Sequence, residues 1–245
     1  MQIKDYQVVL LGVLVALGSI ISTYILSGAV VEFQKLQNQT IRVTGSASQN
    51  VTSDSASWTI NFRTKKALLK EGYAKINSDA NVIKEFLLKN GIEEENISFS
   101  SINSYENYKR LPNGNMTNEV DTYSVYQSVT VKSNDITKFN QMSKKVDELV
   151  NKDINLNAES IQYFVSNLDD IKVKMVGEAS RNAKMRAESM ISGTNGKIGA
   201  MNNAKMGVFQ IVPVDSTEVN DYGINDTSSI EKKVVATVSA TFTVK

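Results

Sequence analysis

Ile41-Arg42-Val43-Thr44-Gly45-Ser46-Ala47 and Ala56-Ser57-Trp58-Thr59-Ile60-Asn61-Phe62-Arg63 are the stretches that decide the fold of this chain. Apolar and polar residues alternate in both, and successive side chains of a strand point to opposite faces, so each stretch has one dry face and one wet face. Two half-buried strands follow. Toward the C-terminus the period changes: Leu69, Tyr73, Ile76, Ala80, Ile83 and Leu87 recur at spacings of three and four, which predicts an amphipathic helix over 67–90 with Gly91 as its C-terminal cap. Strands are expected again over 97–108 and 122–131, where Tyr123, Val125, Gln127, Val129 and Val131 share a face. Leu111-Pro112-Asn113-Gly114-Asn115 between them is a turn signal, so the two form a long hairpin with a polar tip.

A second helix is expected over 135–151, with Asp135 as N-cap and Ile136, Phe139, Val146 and Leu149 turned inward. A strand near 160–166 comes next. The third helix, about 168–192, carries the stripe Ile171, Met175, Ala179, Ala183, Ala187 and Met190, whose alanines let it lie close to whatever it packs on. Gly193, Gly196 and Gly199 punctuate the turn into a strand near 204–212. The last strand, 234–244, sets Val234, Ala236, Val238, Ala240, Phe242 and Val244 against Val235, Thr237, Ser239, Thr241 and Thr243. Strand-helix-strand thus occurs twice, over 58–105 and 125–166. The fold class is α+β: two layers, a mainly antiparallel sheet and three helices, with the other sheet face wet or meeting a partner.

Upstream of the first strand lies an uncharged run, Tyr6 to Val31. As a helix at about 1.5 Å per residue it reaches roughly 39 Å, enough to cross the hydrocarbon core with tilt. An uncleaved transmembrane anchor is the favoured reading. The alternative is a cleavable signal, with Ser27-Gly28-Ala29 as the small residues at the cut. Lys4 and the terminal amine precede the run, Asp5 offsets them, and Lys35 and Arg42 follow it, which gives an N-terminus inside and a body outside. The chain therefore divides into an anchor, 1–31, a polar linker, 32–39, and an extracytoplasmic domain, 40–245.

Composition removes several chemistries. With 27 basic and 26 acidic residues the net charge is +1, which leaves no footprint for nucleic acid. There is no cysteine and no histidine, so thiol catalysis, Ser-His-Asp triads and His or Cys metal sites are excluded. Gly193, Gly196 and Gly199 follow a helix where a phosphate loop must precede one. Ser229-x-x-Lys232 precedes a strand and has no Lys-Thr-Gly, so it is read as chance. Asp215, Glu218, Asp221 and Asp226 lie in a loop whose spacing does not match an EF-hand, and they read as solvated. The sequons at Asn38, Asn50, Asn96, Asn115 and Asn225 are what an Asn-rich chain gives by chance. Trp58, in phase with Ile60 and Phe62, reads as core. The chain is read as non-enzymatic, with no catalytic, cofactor-binding or metal-ligating residue. A histidine-free hydrolase using carboxylates such as Asp54 and Asp170 remains an alternative, although Asp54 reads as a turn residue.

Ile41 to Ala47 followed by Ser53-Asp54-Ser55-Ala56-Ser57-Trp58-Thr59-Ile60 resembles the opening I-x-V-x-G-x-A … D-x-A-x-W of SIMPL-domain proteins. The likeness continues through Gly91-Ile92, the alanine-spaced helix, Gly196-Lys197-Ile198-Gly199 and the closing strand, and so covers Thr40 to Lys245. The anchor is longer than the cleaved signals familiar in that family, and the acidic loop after Pro213 is a further departure. The resemblance implies an envelope protein, periplasmic or on the surface, linked to oxidative-stress defence and immunogenic, without established enzymatic activity. It also implies a partner, a second copy of itself, in a large ring-like or channel-like oligomer. The resulting expectation is a membrane-anchored extracytoplasmic oligomeric scaffold, held in lipid through residues 6–31 and binding no nucleic acid or cofactor. The alternative is an envelope ligand- or protein-binding module, monomeric or a small oligomer, using the hairpin tip near Asn113 and the loop near Tyr222.

Overall fold

The computed structural model describes residues 5–245, and the side chains of all of these but 5–9 and 32–38. Lys4, on which the expected orientation partly rests, lies outside the described residues. Helix α1 runs Asp5–Asn38, and its 22-residue span Leu10–Val31 is long and apolar enough to cross a membrane. Every side chain of that span is exposed, as a helix with no polar stripe requires if lipid is to surround it. The span's hydroxyls are satisfied inside the helix: Ser19 Oγ donates to the Val15 carbonyl and Thr23 Oγ1 to the Ser19 carbonyl, each at 2.8 Å. Such a helix fits a single-pass anchor or a signal sequence.

The rest of the chain follows as β1 (Thr40–Thr52), β2 (Ser55–Lys66), α2 (Leu69–Lys89), β3 (Ile97–Phe99), β4 (Asn103–Arg110), β5 (Met116–Ser133), α3 (Ile136–Ser143) and α4 (Asp147–Val150). Then come β6 (Leu156–Ala158), β7 (Gln162–Phe164), α5 (Leu168–Ile191), β8 (Ile198–Met206), β9 (Gln210–Pro213), β10 (Ile224–Asn225) and β11 (Glu231–Val244). The fold is α+β with mostly antiparallel sheets; β9 and β10 pair in parallel. The chain divides into two compact units, one of residues 1–48, 172–209 and 235–245, the other of 49–171 and 210–234.

In the first unit β11 lies between β1 and β8, and α5 packs on this sheet through Ala183 and Ala187 against Val43, Ala240 and Phe242. The alanine stripe has a specific cause. A Cβ placed on Gly45 would stand 2.2 Å from the Ala179 carbonyl oxygen and 2.3 Å from the Ala183 nitrogen, so helix and strand touch backbone to backbone. Polar residues of α5 then serve the edge strand β1: Asn182 Oδ1 accepts from the Ser46 amide at 3.1 Å, and Arg186 donates to the Thr44 carbonyl at 3.0 Å. Met190, expected in the stripe, is exposed, because the buried positions recur every four residues from Ile171 to Ala187 and the next in phase is Ile191, which is half-buried.

In the second unit the strand order is β3-β5-β2-β6, with β4 also on β5 and β7 also on β2. Trp58, Ile60 and Phe62 of β2 and Val125, Val129 and Val131 of β5 form a core with Ile76, Ile83 and Leu87 of α2 and Phe139 and Met142 of α3. Trp58 is core, as its phase predicts; its indole donates to the Glu159 carbonyl at 2.9 Å and meets Phe139 edge-on at 6.3 Å. Gly91, at φ 81°, ends α2 as expected. Asp135 caps α3, accepting from the Lys138 amide at 2.9 Å.

Several expectations need correction. Besides α1 there are four helices, not three, because the helix expected over 135–151 tightens after Ser143. There the amides of Lys145 and Val146 bond carbonyls three residues back, and Ser143 Oγ takes the Asn140 carbonyl, which leaves α3 and α4 as separate pieces. The strand expected over 97–108 breaks at Ser100, where its amide bonds the Ser128 carbonyl before the chain steps away to begin β4. The strand expected near 160–166 is only Gln162–Phe164, and β6 lies unread before it. Gly199 is inside β8 rather than in the turn, and 204–212 is divided between β8 and β9 at Gly207, where a Cβ would meet Thr237 Oγ1 at 2.3 Å. Within α2, Leu69 and Tyr73 are exposed, while Gly72 and Asp79 are buried.

Candidate functional site

Asp54 and Asp170, the carboxylates of the hydrolase alternative, each have a structural role. Asp54 sits in the short gap between β1 and β2, where it accepts from the Ser166 amide at 2.8 Å and the Ser166 hydroxyl at 2.9 Å while its own amide donates to Phe164. It brackets the turn, as its sequence position suggests. Asp170 stands in the first turn of α5, where a carboxylate favours the helix N-terminus. No hydrogen bond joins the two among the described residues. Among the same residues no group of three or more Asp or Glu could hold a metal.

Ser229-x-x-Lys232 is not a Ser-Lys dyad in this arrangement. Lys232 is 2% exposed, and its Nζ donates to the main-chain carbonyls of Tyr163, at 2.7 Å, and Asp226. Burial pushes its pKa down, and the Asp226 carboxylate pulls the other way. That carboxylate, from the acidic loop, turns onto its own chain: it accepts from the Ser228 amide and hydroxyl at 2.9 and 2.7 Å and from the Ser229 amide. Burial opposes ionisation of Asp226, but these hydrogen bonds and Lys232 outweigh it and hold the carboxyl below its ordinary 3.8. Lys232 was legible as buried, because it continues the phase of Val234, Ala236 and Val238 by one more step toward the N-terminus. Asp79 has a similar signal, falling between Ile76 and Ile83 at helical spacing, and it pairs with Lys75 at 2.8 Å.

The chemistry-bearing surface is the face of the β2–β5 pair that no helix covers. Register places its outward side chains in rows. Asn61 stands opposite Asn157 on one side and Ser128 on the other; Arg63 is opposite Tyr126, itself opposite Asn103; Lys65 is opposite Ser124, itself opposite Tyr105. These rows, Lys65 excepted, line an open groove of about 800 Å³. Alternation sends Phe62, Leu156 and Gln127 of the same strands to the other face, so paired backbone forms the floor. Tyr105 and Tyr126 flank the groove with ring centroids 6.0 Å apart and planes inclined by 54°. Asn61 Nδ2 donates to Glu159 at 2.9 Å, which leaves its carbonyl oxygen toward the groove. Arg63 and Lys65 carry no ion pair among the described residues. Periodicity marks this face only as wet or meeting a partner; amides, tyrosines and arginine where lysine and glutamate are ordinary are the signal that points further.

A second surface adjoins it. β2 pairs with β5 only as far as Lys66 opposite Tyr123, so from Met116 to Thr122 strand β5 has β4 alone as partner. This two-stranded arm projects about 23 Å at roughly 3.3 Å per residue. Its tip is closed by the Leu111 amide on the Asn115 carbonyl at 2.8 Å, with Gly114 at φ 86°. Tyr108, Leu111 and Met116 are exposed along it. β4 pairs regularly from Asn103 to Asn107, is bulged beyond, and has no strand on its outer edge among the described residues. The other expected contact, Tyr222, is 96% exposed on a loop whose main chain at Asn220 is tied to the Gln210 side chain.

A protein-family model, SIMPL, described as a protein of unknown function (DUF541), matches residues 41–243. No curated protein matches the chain.

Proposed function

The chain belongs to the SIMPL family, and we propose that it is a membrane-anchored scaffold of the cell envelope which works by self-association, with its body outside the cytoplasm, and without catalysis. The β4–β5 arm is the observation that carries this reading. A two-stranded ribbon alone is marginal in water, and one that exposes Tyr108, Leu111 and Met116 gains by covering them. The regular edge Asn103–Asn107 gives a second copy main-chain groups to pair with, and the bulged tip beyond it supplies side chains. The 22-residue span of α1 supports membrane attachment, and assembly multiplies it, since several anchors in one particle hold the membrane far more strongly than one. The resemblance to envelope proteins supports the placement of the body and a link to oxidative stress.

The test is the mass of the full chain in detergent by multi-angle light scattering. A discrete multimer, reduced by the pair Leu111→Lys and Met116→Lys, is expected. A monodisperse monomer overturns the reading. A second reading, an envelope ligand-binding module, is favoured by the groove on the helix-free face.

A further inference from the structure

We propose that this groove binds an acidic oligosaccharide, a chain of pyranose rings bearing uronic carboxylates. Three observations converge on that class. Its volume, about 800 Å³, accommodates several sugar rings, and it is open to solvent. Its walls are hydrogen-bonding groups of fixed, planar geometry: Asn61, Asn103 and Asn157 offer amide donors and acceptors side by side, which is what pairs of neighbouring hydroxyls require. Tyr105 and Tyr126 add two inclined apolar faces that keep a polar tip, suited to successive rings whose C–H faces are apolar and whose edges are not.

Charge narrows the class. Arg63 is the charged side chain of the lining, it has no ion pair among the described residues, and no carboxylate lines the groove. The planar guanidinium of Arg63 takes a carboxylate in two parallel hydrogen bonds, a geometry that a neutral sugar cannot use. A nucleotide is a poorer fit, because neither a helix N-terminus nor a glycine-rich turn contributes to the lining. An extended peptide is also poorer: it gains most from an open strand edge, whereas the backbone on the groove floor is already paired. Sheet faces carrying oligosaccharides occur in other β architectures.

The proposal stands apart from self-association, and the test keeps them apart. The full chain in detergent is titrated calorimetrically with tetragalacturonate as the acidic probe and maltotetraose as the neutral one. Saturable binding of tetragalacturonate is expected, at least tenfold tighter than that of maltotetraose, and weakened by added salt. Arg63→Ala and Tyr126→Ala each weaken it at least tenfold, while Arg63→Lys keeps part of the affinity. Because both side chains are exposed, the unfolding temperature of these variants stays at that of the parent, which separates lost binding from lost fold. Leu111→Lys with Met116→Lys changes the particle mass and leaves the sugar affinity as it was. No saturable binding at millimolar tetragalacturonate, equal affinity for the two sugars, or affinity indifferent to Arg63→Ala overturns the proposal. So does capture of a strand-forming peptide by the groove, sensitive to Tyr126→Ala, in a protein that binds neither sugar.

Discussion

Two helices pack on strands in this molecule, and they do it with opposite choices of side chain. In one unit α5 meets β1 through Ala179, Ala183 and Gly45, residues so small that the two backbones touch. In the other, α2 meets β2 and β5 through Ile76, Ile83, Trp58, Ile60 and Phe62. Both interfaces exclude water, but their tolerances are reversed. The first has no room to add an atom, because what stands in the way is main chain; the second stands to lose by removal, because a cavity forfeits the contacts of its lining.

Substitutions that exchange the two choices break the comparison most sharply. Gly45→Val places a branched Cβ where backbone atoms lie within 2.3 Å, so a cost above roughly 4 kcal/mol is expected, beyond the ordinary range for overpacking. Denaturant unfolding reads it out, and a variant within 1 kcal/mol of the parent would show that α5 moves away freely. Ile83→Ala, in the fully buried row of α2, is expected to cost about 3 kcal/mol by the same measurement. The two effects should trade places when the substitution types do: a further truncation, Ala183→Gly, costs only about 1 kcal/mol, chiefly through helix propensity.

Lys232 sharpens the comparison from a third direction, since here a strand's inward position is filled by a cation instead of an aliphatic group. Lys232→Ala leaves the Tyr163 and Asp226 carbonyls without their donor, at an expected cost of about 2 kcal/mol, while Lys232→Met restores the packing but not the hydrogen bonds. A Met variant as weak as the Ala variant would assign the role to hydrogen bonding.

The smallest effect concerns acid. The folded state holds Asp226 below its ordinary 3.8, so its contribution is complete above that value and is lost as pH falls through the folded-state pKa. Asp226→Asn should therefore be less stable than the parent near neutral pH, and the gap should close in acid. A gap independent of pH would mean that the carboxylate's charge contributes nothing.

Much of this was readable along the chain. Alternation placed Trp58 and Phe62 in a core, the spacing of Ala179, Ala183 and Ala187 marked a close helix contact, and Asp54 was seen as a turn residue. Lys232 and Asp79 were in phase with the core and could have been read as buried. The partner that satisfies Lys232 could not, because the carbonyl of Tyr163 lies far off in sequence. The groove had the same limit: Asn61, Asn103, Tyr126 and Asn157 are separate polar residues until strand register makes them neighbours. β6 and β10, of three and two residues, are too short to show a period at all.

Periodicity, caps and turn residues are local properties, and they determined by themselves the α+β class, the apolar N-terminal helix, most element positions and the absence of histidine and cysteine chemistry. Strand order, the contact of Gly45 with α5, the break between α3 and α4, the projection of the β4–β5 arm and the groove beside it were decided only by tertiary structure. Each depends on which distant segments come together, and a local pattern states that a face must be buried without naming what buries it.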